Sequence, residues 1–247
     1  MSADPIIVDT ARRIFQDLAD PQTIHSMDNK NWRVALWQAL AEARLTLAWC
    51  SEAKGGAGAS MADGFAIQRV VGEFATPIPL AETLLAGWLL EQTGMDPPSG
   101  PMSVAPINEG IDLNLDDEGR LYGVVERVPF ASETEHLVTL CKSSAEVKVV
   151  LVETAACGVA CGTNVAGEPR DQVSFEAVRP LHLAHVPAGF DPFKLKLMGA
   201  LMRATQMTGA IDTLLTMCIS YSQERVAFER AIAKFQVIQH NLALMAG

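Results

Sequence analysis

The sequence is poor in positive charge, and this excludes one large class of function. Its 247 residues contain 19 lysines and arginines against 29 aspartates and glutamates, so the formal net charge is −10. An extended basic surface for nucleic acid is therefore not expected. An anionic small molecule would need a local cluster of cations to bind to such an acidic chain.

Long apolar runs are also missing. No stretch of about 18 apolar residues is available to cross a bilayer. The first residues, MSADPIIVDTARR, lack the basic start and the unbroken apolar segment of a secretory signal. We therefore expect a cytoplasmic protein without a membrane partner.

Cysteines are few, and their spacing does not suggest disulfide pairs. The five stand at Cys50, Cys141, Cys157, Cys161 and Cys218, an odd and scattered set that suits reduced thiols better than a disulfide framework. Cys157 and Cys161 have no second pair at zinc-finger spacing and no nearby histidine. No metal site is predicted.

The common phosphate-binding motifs are absent as well. No G-x-G-x-x-G follows a predicted strand, so a Rossmann site is not supported. The glycine-rich segment EAKGGAGASMAD at 52–63 has its lysine before the glycines and follows a helical pattern, which is the wrong order for a P-loop. We expect its glycines to close one helix, and Ser60 with Asp63 to cap the next.

Apolar residues recur at helical spacing between residue 5 and about residue 94. The pattern predicts four helices, carried by the segments IIVDTARRIFQDLA, WRVALWQALAEA, MADGFAIQRVVGEF and LAETLLAGWLLEQTG. The last ends at Gly94, before a stretch of prolines and glycines. The first third is therefore predicted to be a helical bundle.

The middle of the chain changes to short runs bounded by turn residues. Six runs read as strands, several with alternating apolar and polar residues: MSVAPI, IDLNL, RLYGVVERV, HLVTLC, VKVVLVE and QVSFEAVRP. The segment DDEG at 116–119 lies between two of them as a hairpin turn. An antiparallel β domain is predicted.

Helical spacing returns after Asp191 and Pro192 and predicts a helix over about 193–223, followed by one more helix. The long helix carries two apolar stripes, one with Leu197, Leu201, Ile211, Leu215 and Cys218, the other with Met198, Met202, Leu214, Met217 and Tyr221. A helix that is apolar on two sides must be covered by other helices. Another subunit, or further C-terminal residues, would have to provide that cover.

The predicted fold class is thus α+β, in three domains. These are an N-terminal helical domain over 1–98, a middle antiparallel β domain over 99–190 and the start of a C-terminal helical domain over 191–247. The C-terminal helical bundle is expected to be incomplete by itself.

This domain plan resembles that of the acyl-CoA dehydrogenases, and two segments carry the resemblance. The segment SEAKGGAGASMADGFAIQRVVGEFATPIPL is similar to a glycine-rich loop and helix of that family. The segment SYSQERVAFERAIAKFQVIQHNLALMA is similar to a more specific signature, in which an arginine is followed by Phe-Gly and then by Phe-Gln at the start of the next helix. The resemblance extends over nearly the whole chain but stops well before a typical member's end.

The resemblance implies FAD bound at a subunit interface and an acyl-CoA substrate. Arg225 would contact the flavin diphosphate, with Phe228 and Gln236 near the adenosine part, and Phe130 would replace a tryptophan that packs on the flavin ring. Arginine suits a diphosphate because its planar fork can bind two oxygens. Spacing alone favours a solvated or helix-paired cation near a helix C-terminus for Arg225, and the resemblance brings the two interpretations level. Arg203 could face a CoA anion or pair with a carboxylate, such as Glu224 or Asp212 of a neighbouring subunit.

Three departures from the family pattern matter. Phe228 is followed by Glu229 instead of glycine, which places a carboxylate beside the expected diphosphate contact. The segment PMSVAPINEG stands where the family has its flavin loop. The family's proton-abstracting carboxylate has no counterpart here, so the catalytic residues remain unassigned.

Two functions follow as alternatives. The first is a subunit of an FAD-dependent acyl-CoA dehydrogenase that catalyses α,β-desaturation, in a homo- or hetero-oligomer like the α2β2 enzymes for steroid side chains and other bulky acyl groups. The second is a non-catalytic scaffold subunit of such a heteromer, without its own flavin. A helical and β protein unrelated to flavoenzymes is a third, weaker alternative.

Overall fold

Five helices form the N-terminal part of the computed structural model, which describes residues 3–25, 31–107, 111, 113–144 and 146–247. They are α1 (Pro5–Leu18), α2 (Pro21–His25), α3 (Asn31–Glu42), α4 (Met61–Glu73) and α5 (Leu80–Gln92). The last is buried on every side from Leu80 to Leu90, so it forms the centre of this part of the molecule. The predicted helical bundle is confirmed, with the short α2 as an unpredicted addition.

The glycine-rich segment lies in the connection between α3 and α4. Helix α3 ends at Glu42, earlier than the apolar pattern suggested, and Gly55 closes a single 3₁₀ turn with a φ of 80°. Ser60 and Asp63 form the predicted capping box: the Asp63 carboxylate accepts hydrogen bonds from the backbone and the hydroxyl of Ser60, each 2.7 Å long. The segment therefore connects α3 to α4 and caps the start of α4.

Eight strands form one sheet in the middle of the chain. They are β1 (Met102–Val104), β2 (Asn114–Leu115), β3 (Leu121–Pro129), β4 (His136–Ser143), β5 (Glu146–Glu153), β6 (Gly158–Ala160), β7 (Arg170–Val178) and β8 (His182–His185). The spatial order is β6-β7-β3-β2-β4-β5-β8, with β1 beside β4. The hairpin turn predicted at 116–119 joins β2 to β3.

The sheet differs from the prediction in two ways. Strands β1 and β2 run parallel to β4, whereas the other pairs are antiparallel. Strands β6 and β8 were not predicted, because the short, largely exposed segments 158–160 and 182–185 carry no apolar alternation. A buried hydroxyl, that of Thr83, joins the sheet to α5: it accepts a hydrogen bond from the Met102 backbone N–H at 3.0 Å.

The C-terminal part consists of two helices joined by a small hairpin. Helix α6 (Phe193–Glu224) matches the predicted long helix, and α7 (Gln236–Ala246) follows the strands β9 (Val226–Ala227) and β10 (Arg230–Ala231). Leu195, Met198 and Met202 of α6 are buried against the N-terminal helices. None of the described helices is long and apolar enough to cross a membrane.

Beyond its first turns, α6 presents a broad apolar surface that no other part of the described chain covers. Its exposed large residues are Leu197, Leu201, Met207, Ile211, Leu214, Met217, Ile219 and Tyr221, and Val237 and Leu244 of α7 are exposed too. Apolar surfaces of this extent are typical of subunit interfaces. The two apolar stripes predicted for α6 are therefore partly uncovered among the described residues.

Helices α4 and α6 cross at two buried glycines. A side-chain carbon at Gly72 would overlap the carbonyl oxygen of Gln206, and one at Gly209 would overlap that of Arg69. The close approach also allows polar contacts between the helices, including a 3.0 Å hydrogen bond from the Thr213 hydroxyl to the Glu73 carbonyl. Only glycine lets the two backbones come this near.

Replacement of Gly209 by alanine should therefore destabilise the protein by about 1–3 kcal/mol, the usual cost of inserting an atom into a packed core. Gly199 in the same helix is the matched control. Its added carbon would meet only Leu85 Cδ1 at 3.9 Å, so Gly199→Ala should be neutral or stabilising by up to about 1 kcal/mol through helix propensity. Chemical denaturation of both variants measures the difference, and equal stabilities would contradict the close crossing.

Candidate functional site

The junction of α6 and α7 carries three of the four residues singled out in the sequence. Helix α6 ends at Glu224, and the next residue, Arg225, caps it by donating its backbone N–H to the Tyr221 carbonyl at 2.9 Å. The Arg225 side chain is exposed and has no ion pair or hydrogen bond among the described residues. Its guanidinium group is free to bind a ligand.

A tight turn projects from this junction between β9 and β10. Its two central residues, Phe228 and Glu229, have φ angles of 50° and 65°. Positive φ at both positions is the requirement of a type I′ hairpin turn, which favours glycine or asparagine. This requirement explains why glycine follows phenylalanine in the signature that the chain resembles. Glu229 has the same left-handed backbone conformation, at a cost in free energy.

The turn places several binding groups together. Phe228 is 90% exposed, and its ring lies 6.3 Å from that of Phe235, edge to face. The Arg230 guanidinium stacks on the Phe235 ring at 4.1 Å, and the exposed Gln236 begins α7. Arg230 was not predicted from the sequence. Its position two residues after Phe228, in the predicted connection between the last two helices, was the signal that could have identified it.

Phe130, the fourth predicted residue, lies elsewhere, just after β3. It is fully buried, has a φ of 53°, and the Arg170 guanidinium lies 5.9 Å from its ring centroid. In this arrangement the ring offers no open face to a flavin. Packing of Phe130 on the flavin ring stays a prediction. It would require Phe130, or the groups that cover it, to move.

A cavity of about 330 Å³ lies where α5, the sheet and α6 meet. Side chains from all three parts line it, among them the charged residues Glu82, Arg127, Arg170, Lys196 and Arg203. Four cations and one carboxylate thus face one small space in a chain whose formal net charge is −10. This is the local cationic cluster that an anionic ligand would require.

Arg203 pairs with a buried carboxylate, as one of the two interpretations of the sequence expected, but this carboxylate is Glu82 of the same chain rather than the suggested Glu224 or Asp212 of a neighbour. Its guanidinium binds the carboxylate of Glu82, whose side chain is 3% exposed, and also the Gln206 side chain at 2.7 Å. Asp212 pairs with Arg69 instead. The partner could not be read from the sequence because Glu82 precedes Arg203 by 121 residues.

The pair leaves one polar atom unsatisfied. The second carboxylate oxygen of Glu82, Oε2, is buried and has no hydrogen-bond partner, and the same holds for Nε2 of Gln68. Gln68 accepts a 2.7 Å hydrogen bond from Gln206, so a polar network runs across α4, α5 and α6. Unsatisfied buried groups of this kind cost free energy and are often found where ligands bind.

Cys157 and Cys161 flank β6 and line a second cavity, of about 580 Å³, together with His136. Burial raises the pKa of Cys157 to about 11, so its thiol stays protonated at neutral pH and is a weak nucleophile. Among the described residues no three His, Cys, Asp or Glu side chains are grouped so that they could hold a metal ion.

Comparison with known proteins shows to which proteins this chain is similar. The family model of the acyl-CoA dehydrogenase C-terminal domain matches residues 196–247. Acyl-CoA dehydrogenase IpdE2 of Mycolicibacterium smegmatis is 23% identical over 249 residues, covering 96% of this chain and 70% of that protein. The resemblance deduced from the sequence is therefore confirmed.

Two solved structures extend the comparison to the fold. The Tcur3481-Tcur3483 steroid acyl-CoA dehydrogenase variant aligns with a TM-score of 0.78 at 24% identity, and the ChsE4-ChsE5 complex from Mycobacterium tuberculosis with a TM-score of 0.78 at 18% identity. Each alignment covers 96% of this chain and 71% of the other. The chain thus has the acyl-CoA dehydrogenase fold over nearly its entire length.

Loss of Arg203 should leave the buried Glu82 carboxylate without its positively charged partner. We expect Arg203→Met to cost about 2–3 kcal/mol, somewhat less than for a fully buried pair because Arg203 is one-third exposed. The double variant Glu82→Leu with Arg203→Met should recover most of this. Arg69→Met, which breaks a half-exposed pair at the same crossing, serves as control and should cost less than about 1 kcal/mol. Urea titrations that rank Arg69→Met as the costlier change would contradict the buried pair.

The hairpin predicts a stabilising substitution. Glu229→Gly should raise the free energy of unfolding by about 1 kcal/mol, because glycine adopts the left-handed conformation without strain. Glu229→Ala removes the same carboxylate but keeps the strain, so it should bring no such gain. Thermal unfolding of the two variants separates backbone strain from charge, and equal melting temperatures would argue against a strained turn.

Proposed function

We propose that this chain is a subunit of an FAD-dependent acyl-CoA dehydrogenase that catalyses the α,β-desaturation of an acyl-CoA and is active in complex with another chain of the same family. The observation that carries the proposal is the α6–α7 junction. There an unpaired, exposed Arg225 and the exposed Phe228 lie beside the uncovered apolar surface of α6. A neighbouring subunit that covers this surface would bring its ligand to both residues.

The junction residues fit a dinucleotide at such an interface. Arg225 would bind the diphosphate through its planar fork, Phe228 would pack beside the adenosine part, and Gln236 would offer its amide at the start of α7. The exposure of all three side chains supports the assignment, since a ligand held mainly by the partner needs open groups on this side. The stacked Arg230 and Phe235 add a second cation and a ring next to them.

The reaction removes a proton from Cα of the thioester and a hydride from Cβ. FAD, when bound, supplies the acceptor for that hydride. In this chain the cavity beneath α6 would hold the acyl group, because its walls come from α5, β3 and α6 and bring apolar and cationic side chains together. The proton acceptor remains unassigned, and a carboxylate of the partner is the proposed source.

A scaffold subunit without flavin is the second candidate, and two observations favour it. Glu229 places a carboxylate in the hairpin that carries Phe228, which would repel a diphosphate. The ring of Phe130 is buried and offers no face for flavin packing. A subunit that kept the interface but lost the flavin would show both features.

The visible absorption spectrum decides between the two candidates. The chain is purified alone and after co-expression with an adjacent acyl-CoA dehydrogenase-like chain. A flavin band in near-stoichiometric amount, bleached by an acyl-CoA, is expected for the dehydrogenase. A colourless complex of the two chains would establish the scaffold instead.

In the flavin-containing complex, Arg225→Gln should weaken FAD binding by about tenfold or more, because a charge-assisted bond to phosphate is lost. Arg13→Gln, at an exposed arginine of α1, removes the same charge far from the junction and is the control. Titration of FAD into the deflavinated complex gives both affinities. Equal affinities for the two variants would remove Arg225 from the site.

A further inference from the structure

Arg127, a cation in the cavity beneath α6, has no neutralising partner among the described residues. Arg170 binds Glu168 at 2.8 Å, and Arg203 binds Glu82. Arg127 lines the same cavity, yet it makes no ion pair and no hydrogen bond through its side chain within the described part of the chain. A guanidinium group placed in this way is available to an anion.

The backbone at Arg127 supports a role for its side chain. Arg127 has a φ of 58° and lies in a bulge, where the pairing of β3 with β7 shifts between Val125 and Val128. A left-handed arginine costs about 1–2 kcal/mol relative to ordinary strand geometry. Bulges redirect side chains and are frequent beside binding sites, and here the bulge turns Arg127 towards the cavity.

Glu82, a second residue of the cavity lining, has one unsatisfied carboxylate oxygen. Glu82 Oε2 is buried and unpartnered while the other oxygen of the same carboxylate is held by Arg203. A ligand with a hydroxyl or N–H group at this point would satisfy the free oxygen. The cavity lining therefore offers one molecule both a cation for an anionic group and an acceptor for a hydrogen-bond donor.

We propose that this cavity binds a carboxylate carried by the acyl part of the substrate, with Arg127 as its partner and Glu82 accepting a hydrogen bond from a donor on the same acyl group. A volume of about 330 Å³ lies at the lower end for small-molecule sites, so it suits an acyl group rather than a whole CoA. The anion site rests on the cavity alone, whereas its assignment to an acyl group rests on the proposed function.

A phosphate of a cofactor offers the same oxyanion chemistry, and the test separates the two sources. Binding of glutaryl-CoA, butyryl-CoA and inorganic phosphate to the full chain is measured by calorimetry. Glutaryl-CoA should bind at least tenfold more tightly than butyryl-CoA. Arg127→Gln should remove this preference by weakening glutaryl-CoA more than butyryl-CoA, and Arg127→Lys should restore part of it.

Two further variants serve as controls for this binding experiment. Arg179→Gln removes an exposed arginine just after β7 that does not line the cavity, and it should keep the preference for glutaryl-CoA. Arg127→Gly removes the same charge as Arg127→Gln and relieves the left-handed strain. It should fold at least as well and lose the preference, so a folding defect cannot be mistaken for lost binding.

Several outcomes would overturn the proposal. No binding of glutaryl-CoA to the wild type, or a preference that survives Arg127→Gln and Arg127→Gly, would exclude Arg127 as the partner of an acyl carboxylate. Equal weakening of both thioesters and of phosphate would keep the anion site but assign it to phosphate. A colourless complex of the two chains that still prefers glutaryl-CoA would contradict the dehydrogenase and leave the anion site standing, so the two failures are distinguishable.

Discussion

The close crossing of α4 and α6 is the contact on which the rest of the C-terminal part depends. Gly72 and Gly209 let the two backbones approach, and the helices are then joined by side-chain pairs such as Arg69 with Asp212. This contact orients the first half of α6 over α5. It thereby places Arg203 against Glu82 and closes the cavity between the helices and the sheet.

Past the crossing, α6 extends beyond the helices that support it. Its second half and α7 expose apolar side chains that burial would stabilise by about 25 cal/mol for each Å² removed from water. The hairpin with Arg225 is attached to this same unsupported end. Under the proposed function, subunit association and ligand binding therefore share one surface, and the ligand site on this side would be completed only in the complex.

Positive φ angles do not by themselves mark functional residues in this protein. Arg44, Ala75 and Ser144 also have left-handed backbone and line none of the described cavities. Arg127 is distinguished because its strain coincides with a bulge and with a cavity wall. Glu229 is distinguished because its turn carries the exposed ring of Phe228. Strain becomes informative only together with position.

The sequence by itself determined much of the local structure. Helical spacing located α1, α3, α4, α5 and α6. The Ser60 capping box and the 116–119 hairpin were found from short motifs of capping and turn residues. All of these features depend on neighbours only a few residues apart. The resemblance to a known family then predicted the fold class, although Glu229 departs from the glycine that a type I′ turn favours after Phe228. Short strands without apolar alternation, β6 and β8, carried no such signal.

Only the tertiary structure decided which distant residues meet. Glu82 with Arg203, and Arg127 with the cavity, are brought together by helix crossing and by a bulge in strand pairing, which no local pattern encodes. Phe130 shows the same limit, since its burial beneath Arg170 follows from the packing of β3 on β7. Local periodicity specifies elements and their faces, whereas the ion pairs and the cavity arise from contacts between elements far apart in the chain.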